Sequence, residues 1–229
     1  MSATWSAIWR KLPAPVLAAV LFAGVLVAAG LVAVILALAA LRIDVAPRAA
    51  AQTAAAASLA GQLLVASPAM SDPNFGRTVI LIIQHDQNGA LGIVINRPAG
   101  DRPLTDLLDT PGEKDTTAAG NVRIFAGGPM QPEIGFVVHS TDYHGATTRD
   151  LNAGVAMTSS RDILHDIANA KGPQKSLIAF GYAGWAPGQL EGELARREWV
   201  VAPGDAKLVF DEDREKVWDA AFAARVLDL

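Results

Sequence analysis

The stretch Arg77-Thr78-Val79-Ile80-Leu81-Ile82-Ile83-Gln84-His85-Asp86-Gln87-Asn88-Gly89-Ala90-Leu91-Gly92-Ile93-Val94-Ile95 sets an apolar run on each side of an Asn-Gly step. Both central residues of a type I′ turn need positive φ, which Asn and Gly tolerate, so the pattern predicts an antiparallel hairpin. The first run, Arg77 to Gln84, does not alternate with polar residues, which predicts a strand covered on both faces. Working outward, Leu63 to Ala66 reads as a short strand closed by Ser67 and Pro68, and Ser71 to Phe75 as a turn ending in a large apolar side chain. On the other side, Asn96-Arg97-Pro98 ends the second strand, because proline cannot donate to a ladder and biases its predecessor away from helix.

Further along the chain, Pro103 to Leu108 is expected to form a short helix and Thr110 to Asn121 a polar loop. Val122 to Phe125 and Ile134 to His139 read as strands, joined by a sharp reversal at Gly127-Gly128-Pro129. Val155 to Thr158 reads as another strand. Ser159-Ser160-Arg161-Asp162 matches a capping box opening a helix through Ile163, Leu164, Ile167 and Ala168. Leu177 to Tyr182 is an apolar strand, and Gly184-Trp185-Ala186-Pro187-Gly188 leads into a helix bearing Leu190 and Leu194. Trp199 to Ala202 is a strand, and Asp213 to Val226 a closing helix with Val217, Trp218, Ala221 and Phe222 on its buried side. Mixed strands and helices with at least one hairpin argue an α+β domain rather than a doubly wound sheet.

This domain, 61–229, is preceded by sequence of another kind. Of 229 residues 51% are apolar, and the excess lies in front: Leu12 to Leu41 is 30 residues without a charge. Roughly 20 apolar residues cross a bilayer. A helix apolar all round, in a chain too small to enclose it, is expected in lipid. The predicted organisation is a short tail over 1–14, one transmembrane helix over 15–41, an Ala-rich linker over 42–60, and the domain. A secretory signal is the alternative, although its apolar core should be about half this long. The expected location is therefore the inner membrane, single-pass, with the lipid bilayer as a partner. Arg10 and Lys11 nearly balance Arg42 and Arg48, so the side occupied by the domain stays open.

From Gly61 onward, 15 basic residues face 22 acidic ones, a net charge of −7. Such a body is poorly suited to nucleic acid, whose affinity comes mainly from Lys and Arg releasing counterions. The absence of cysteine removes disulfides, thiolate metal sites and Cys nucleophiles. Four histidines remain. His139 and Ser140 are adjacent on a strand and so point to opposite faces, which makes them poor catalytic partners. His85-Asp86 opens the hairpin turn, a position explained by local backbone hydrogen bonding. Asp142 with His144 is too loose to specify a metal. Neither a Gly-x-Ser-x-Gly elbow nor a His-Glu-x-x-His helix occurs. Asp72, Asn74, Arg77, Asn96 and Arg97 place polar groups near strand ends where a pocket would form. Gly181-Tyr182-Ala183-Gly184-Trp185, with two glycines beside Tyr182 and Trp185, suggests close backbone approach and either a shaped surface or core packing.

These blocks also have a collective likeness. Gly61-Gln62-Leu63-Leu64-Val65-Ala66-Ser67-Pro68, Asp72-Pro73-Asn74-Phe75-Gly76-Arg77, Val94-Ile95-Asn96-Arg97-Pro98, Gly127-Gly128-Pro129, Gly135-Phe136-Val137-Val138-His139-Ser140 and Gly181-Tyr182-Ala183-Gly184-Trp185 resemble, in order, the YqgE/AlgH family of bacterial proteins. The resemblance covers essentially 61–229 and implies a mostly antiparallel, flattened barrel-like sheet flanked by helices. It implies no agreed catalytic residues and no cofactor, and the family's traditional label is transcriptional regulator. Most members look like soluble domains, so the preceding segment is a departure that also sets this chain against that label. The expectation is a membrane-anchored, non-enzymatic binding or regulatory module with an unidentified protein or small-molecule partner. The alternatives are a transcriptional regulator or an enzyme using His139 or His85.

Overall fold

In a computed structural model, residues 58–108 and 120–226 are described. The expected tail, transmembrane helix, most of the linker and most of the loop from Thr110 lie outside them. No described helix is long and apolar enough to cross a membrane.

The hairpin forms as expected from β2 (Val79–Asp86) and β3 (Gly89–Val94), which are antiparallel, and β1 (Leu63–Ala66) adds antiparallel to β2. Its turn differs in detail. Asp86 pairs with Gly89, so Gln87 and Asn88 form the centre, and positive φ falls on Gly89 at 119°. An Asp86 carboxylate oxygen accepts the Asn88 N–H at 2.7 Å and closes the turn. Glycine is required at 89 for a second reason: a Cβ there would stand 2.1 Å from the Trp185 carbonyl oxygen.

The run in β2 is apolar throughout because the sheet is covered twice. Val79, Leu81 and Ile83 join Leu63, Val65, Ile93, Val138 and Leu177 in one core. Ile80 and Ile82 face the other way, into a core with Leu64, Val94, Trp185 and Trp199. Alternation is therefore present in space although absent in polarity.

The remaining strands are β4 (Pro98–Pro103), β5 (Asn121–Ala126), β6 (Met130–Ser140), β7 (Thr148–Asp150), β8 (Val155–Thr158), β9 (Ser176–Trp185) and β10 (Trp199–Ala202). They extend the sheet in the order β10-β1-β2-β3-β9-β6-β8-β7, with β5 also on β9 and β4 on β5. The result is a mostly antiparallel sheet curled as an open half-barrel, with a few helices, in an α+β domain. β9 is the hub: β3 and β6 pair with it antiparallel and β5 parallel. Gly127-Gly128-Pro129 is accordingly no simple hairpin. It carries the chain across β9 from β5 to β6, and a Cβ on Gly128 would lie 2.1 Å from the Tyr182 carbonyl carbon.

Among the described residues five short helices flank the sheet: α1 (Leu104–Leu108), α2 (Asp162–Ala168), α3 (Gln189–Ala195), α4 (Ala206–Val209) and α5 (Val217–Ala223). Leu104 and Leu108 of α1 meet Ile163 and Leu164 of α2 over Ile124, Val137 and Ile178, forming a third core. One segment carried no expectation, and two expectations need correction. The segment Pro98–Pro103 is a strand, exposed along its length, because β5 offers it a free ladder edge where proline is tolerated. The capping box is absent; Arg161 is the N-cap without a side-chain capping bond, its guanidinium donating to the Leu107 carbonyl at 2.7 Å, and Ser160 Oγ instead accepts the Asp162 N–H at 3.2 Å. The closing helix is half the expected length, since Arg214 folds inward to donate to the Val209 carbonyl at 2.8 Å.

Candidate functional site

The two histidines singled out in the sequence are each fully engaged. His85 is 8% exposed at the end of β2. Its Nδ1 accepts the Leu59 N–H at 3.1 Å, which leaves Nε2–H to donate to Glu191 Oε1 at 2.9 Å. That hydrogen bond helps hold the Glu191 carboxyl below its usual range, after the larger effect of its own backbone N–H. Ser58 Oγ also donates to the His85 carbonyl at 2.9 Å. His85 thus fastens the beginning of the domain to α3.

His139, fully buried on β6, donates through Nδ1 to the Ser140 carbonyl at 2.9 Å and accepts the Thr158 hydroxyl at Nε2, also at 2.9 Å. Thr158 Oγ1 lies 2.7 Å from Thr148 Oγ1, which in turn accepts the Gly145 N–H at 2.8 Å. Burial pushes the His139 pKa down, as a neutral imidazole with one donor and one acceptor requires. Ser140 faces elsewhere, its hydroxyl donating to Asp142. Asp142 also accepts the Gln174 N–H, while His144 stands 3.9 Å from Asp150, so the loose Asp142 and His144 pattern is not assembled. Among the described residues no group of acids and histidines could hold a metal ion.

Four polar candidates brace one turn. Asp72 Oδ1 accepts the Asn74 N–H at 2.8 Å. Asn96 accepts the Val79 N–H and donates to the Arg77 carbonyl, both at 2.9 Å. Arg97 donates to Thr78 Oγ1 at 2.7 Å and to the Gly76 carbonyl at 3.2 Å. Arg77 leaves this cluster, pairing with Asp219 at 2.8 Å and covering the Trp218 ring at 4.1 Å, which pins α5.

Tyr182 and Trp185 are three apart on β9 and point to opposite faces. Tyr182 packs edge-on to Phe136 against the first core, whereas Trp185 enters the second. Trp185 then lines a cavity of about 160 Å³ with Asp72, Phe75, Met130, Glu193 and Trp199. Trp199 meets Trp185 at 6.1 Å and Phe75 at 5.5 Å between ring centroids, both edge-to-face. Glu193 organises this wall. Its Oε2 accepts both the Trp185 and Trp199 indole N–H groups at 2.8 Å, and its Oε1 accepts Gln189 Nε2 at 2.9 Å. All three donors are neutral, and neither Glu193 nor Asp72 makes an ion pair among the described residues. Glu198 at the rim differs, taking both Arg196 donors at 2.9 and 3.3 Å.

The structure therefore brings Asp72 and Trp185 to one cleft and leaves Arg77, His85, His139 and Tyr182 elsewhere. It adds Trp199, Glu193, Gln189 and Met130, which the sequence reading did not select. The four-residue spacing of Gln189 and Glu193 on a helix was the available signal.

The comparisons with known proteins agree with this architecture. A family model described as AlgH-like matches residues 63–228. A UPF0301 protein of Methylococcus capsulatus is 44% identical over 165 residues, covering 72% of this chain and 90% of that protein. Another from Xanthomonas campestris is 42% identical over 172 residues, covering 75% and 91%. The solution structure of the AlgH protein from Pseudomonas aeruginosa superposes with a TM-score of 0.65 at 40% identity, covering 73% of this chain and 89% of that one. A crystal structure of protein DIP2367 from Corynebacterium diphtheriae, 22% identical with a TM-score of 0.58, shares the fold. With so much of the domain matched, and in one unbroken order of blocks, the chain belongs to the AlgH-like UPF0301 family.

Proposed function

We propose that this protein is a membrane-anchored, non-enzymatic binding module whose recognition site is the aromatic cleft, and that the cleft takes a cationic group such as a guanidinium or ammonium side chain. The observation that carries the reading is the Glu193 carboxylate, held by two indole N–H groups and an amide and making no ion pair among the described residues, Arg196 acting on it only from beyond ion-pair distance. Aromatic walls beside a carboxylate without an ion-pair contact favour a cation through both Coulomb attraction and the ring quadrupole. Both candidate catalytic histidines have their ring nitrogens committed to structural partners, which argues against the enzyme alternative. The domain charge of −7 argues against nucleic acid.

Anchoring rests on the uncharged stretch Leu12 to Leu41. In this reading the bilayer is one partner, the inner membrane the location, and a protein or small molecule bearing the cation the other partner. Two measurements test it. Full-length protein should remain in the membrane pellet after alkaline carbonate washing, and release into the supernatant would refute anchoring. Calorimetric titration of the detergent-solubilised chain with arginine methyl ester should give saturable binding that Glu193→Gln abolishes; the absence of binding would refute the cleft.

A further inference from the structure

A second, larger cavity of about 310 Å³ opens beside β5, at the start of β9, away from the aromatic cleft. Arg214 and Arg123 line it together with Phe125, Ile178, Asn121 and Ser176. Arg214 is an incompletely satisfied cation. Its guanidinium stands over the Phe125 ring at 4.9 Å, and Nη1 donates to the Val209 carbonyl at 2.8 Å and to the Ile95 carbonyl at 3.5 Å. Nε is buried with no partner, the one side-chain nitrogen or oxygen in that condition among the described residues. Among the described residues Nη2 makes no hydrogen bond and no carboxylate lies within ion-pair distance, although Asp211 and Glu212 are close in sequence.

A guanidinium does not lose its proton to escape such a site, so the charge persists and must be met by an anion. Burying a cation whose hydrogen-bond partners are carbonyls alone is unfavourable until an opposite charge makes contact with it, and Asp211 and Glu212 act on Arg214 only from beyond ion-pair distance. Burial also lowers the Arg214 pKa, which agrees with a cation short of partners. Arg123 brings a second guanidinium to the cavity, its own carboxylate contact to Asp101 being long, at 3.5 Å, and half exposed. The Phe125 ring supplies an apolar wall beside these donors, while Ile178 borders the cavity with its side chain in the third core.

We infer that this cavity binds a small monoanionic carboxylate with an apolar body, the carboxylate bridging Arg214 Nη2 and Arg123 and the body packing on Phe125. A carboxylate suits the planar guanidinium fork. A monoanion suits the charge, because Asp101 and Glu212 also line the cavity and repel a phosphate dianion more strongly. This inference is independent of the aromatic cleft and uses different residues.

The test is an NMR titration of the detergent-solubilised full-length chain with benzoate, and with acetate and inorganic phosphate as separate probes. Benzoate is expected to give saturable shifts at Phe125 and Ile178, with acetate weaker and phosphate weakest. Arg214→Met should weaken benzoate at least tenfold. Arg123→Gln, at a half-exposed position where folding is not at risk, should weaken it severalfold, so the test survives if Arg214→Met misfolds. Non-saturable shifts with benzoate, undiminished affinity in Arg123→Gln, or phosphate binding as tightly as benzoate would each overturn the assignment.

Discussion

At the aromatic cleft three neutral donors converge on the Glu193 carboxylate; at the cavity beside β5 only main-chain carbonyls reach one nitrogen of the Arg214 guanidinium, and another has no partner. The contrast follows from the surroundings. Glu193 sits on α3, where Gln189 is one turn away and two indoles edge toward it, so its acceptors are met without cancelling its charge. Arg214 is turned inward by a short connection between α4 and α5 and meets a phenyl ring and carbonyls before any acid. The first arrangement is pre-organised and holds its negative potential ready. The second is incomplete until an anion arrives.

The comparison is broken most severely by removing a wall of the first cleft. Trp199 is 2% exposed and bridges Phe75, Trp185 and Glu193. Trp199→Ala should cost about 3–5 kcal/mol in urea denaturation; a cost below about 1 kcal/mol would mean the cleft is not part of the core. Glu193→Ala strands two indole N–H groups and should cost about 2–4 kcal/mol. Arg214→Met should lie within about 1 kcal/mol of wild type, or above it, because it removes a buried charge and fills the space with a side chain of similar length. If Arg214→Met proved as damaging as Glu193→Ala, the guanidinium would be a structural tie and the contrast between the two cavities would fail.

A finer test uses the buried relay on β6. Thr158→Val removes the donor to His139 Nε2 and should cost about 1–3 kcal/mol. Because burial lowers the folded His139 pKa, the unfolded chain binds its proton first as pH falls through about 6.5. Stability from this group is therefore complete above that pH, declines below it, and levels off once the folded imidazole also titrates. Urea midpoints measured from pH 7.5 to 5 should show the decline, and His139→Gln should flatten it.

Much of the fold was legible in the sequence where burial was extreme. The unbroken apolar run of β2 required cover on both faces, and Gly89 marked the turn. β4 was not legible because Pro98, Ala99, Gly100, Asp101, Arg102 and Pro103 carry no apolar pattern; their pairing exists only because β5 presents an edge. The closing helix was overestimated because helical spacing does not reveal that Arg214 will turn inward. Of the site, Asp72 and Trp185 were recognisable as unusual, but their meeting with Glu193 and Trp199 depends on β10 pairing with β1 beside α3. That is a tertiary fact without a local signal. His85 was read as a turn residue, whereas its ring reaches Leu59 and Glu191, in segments remote from the hairpin.

The most direct measurement is a crossed NMR titration of the full-length chain in detergent, with arginine methyl ester and benzoate each added to separate samples while the indole N–H signals of Trp185 and Trp199 are followed. Recognition of a cation by the aromatic cleft predicts that the ester shifts both signals saturably, that Glu193→Gln abolishes the shift, and that benzoate leaves both in place. Indole signals that ignore the ester, or respond equally to benzoate, would contradict it.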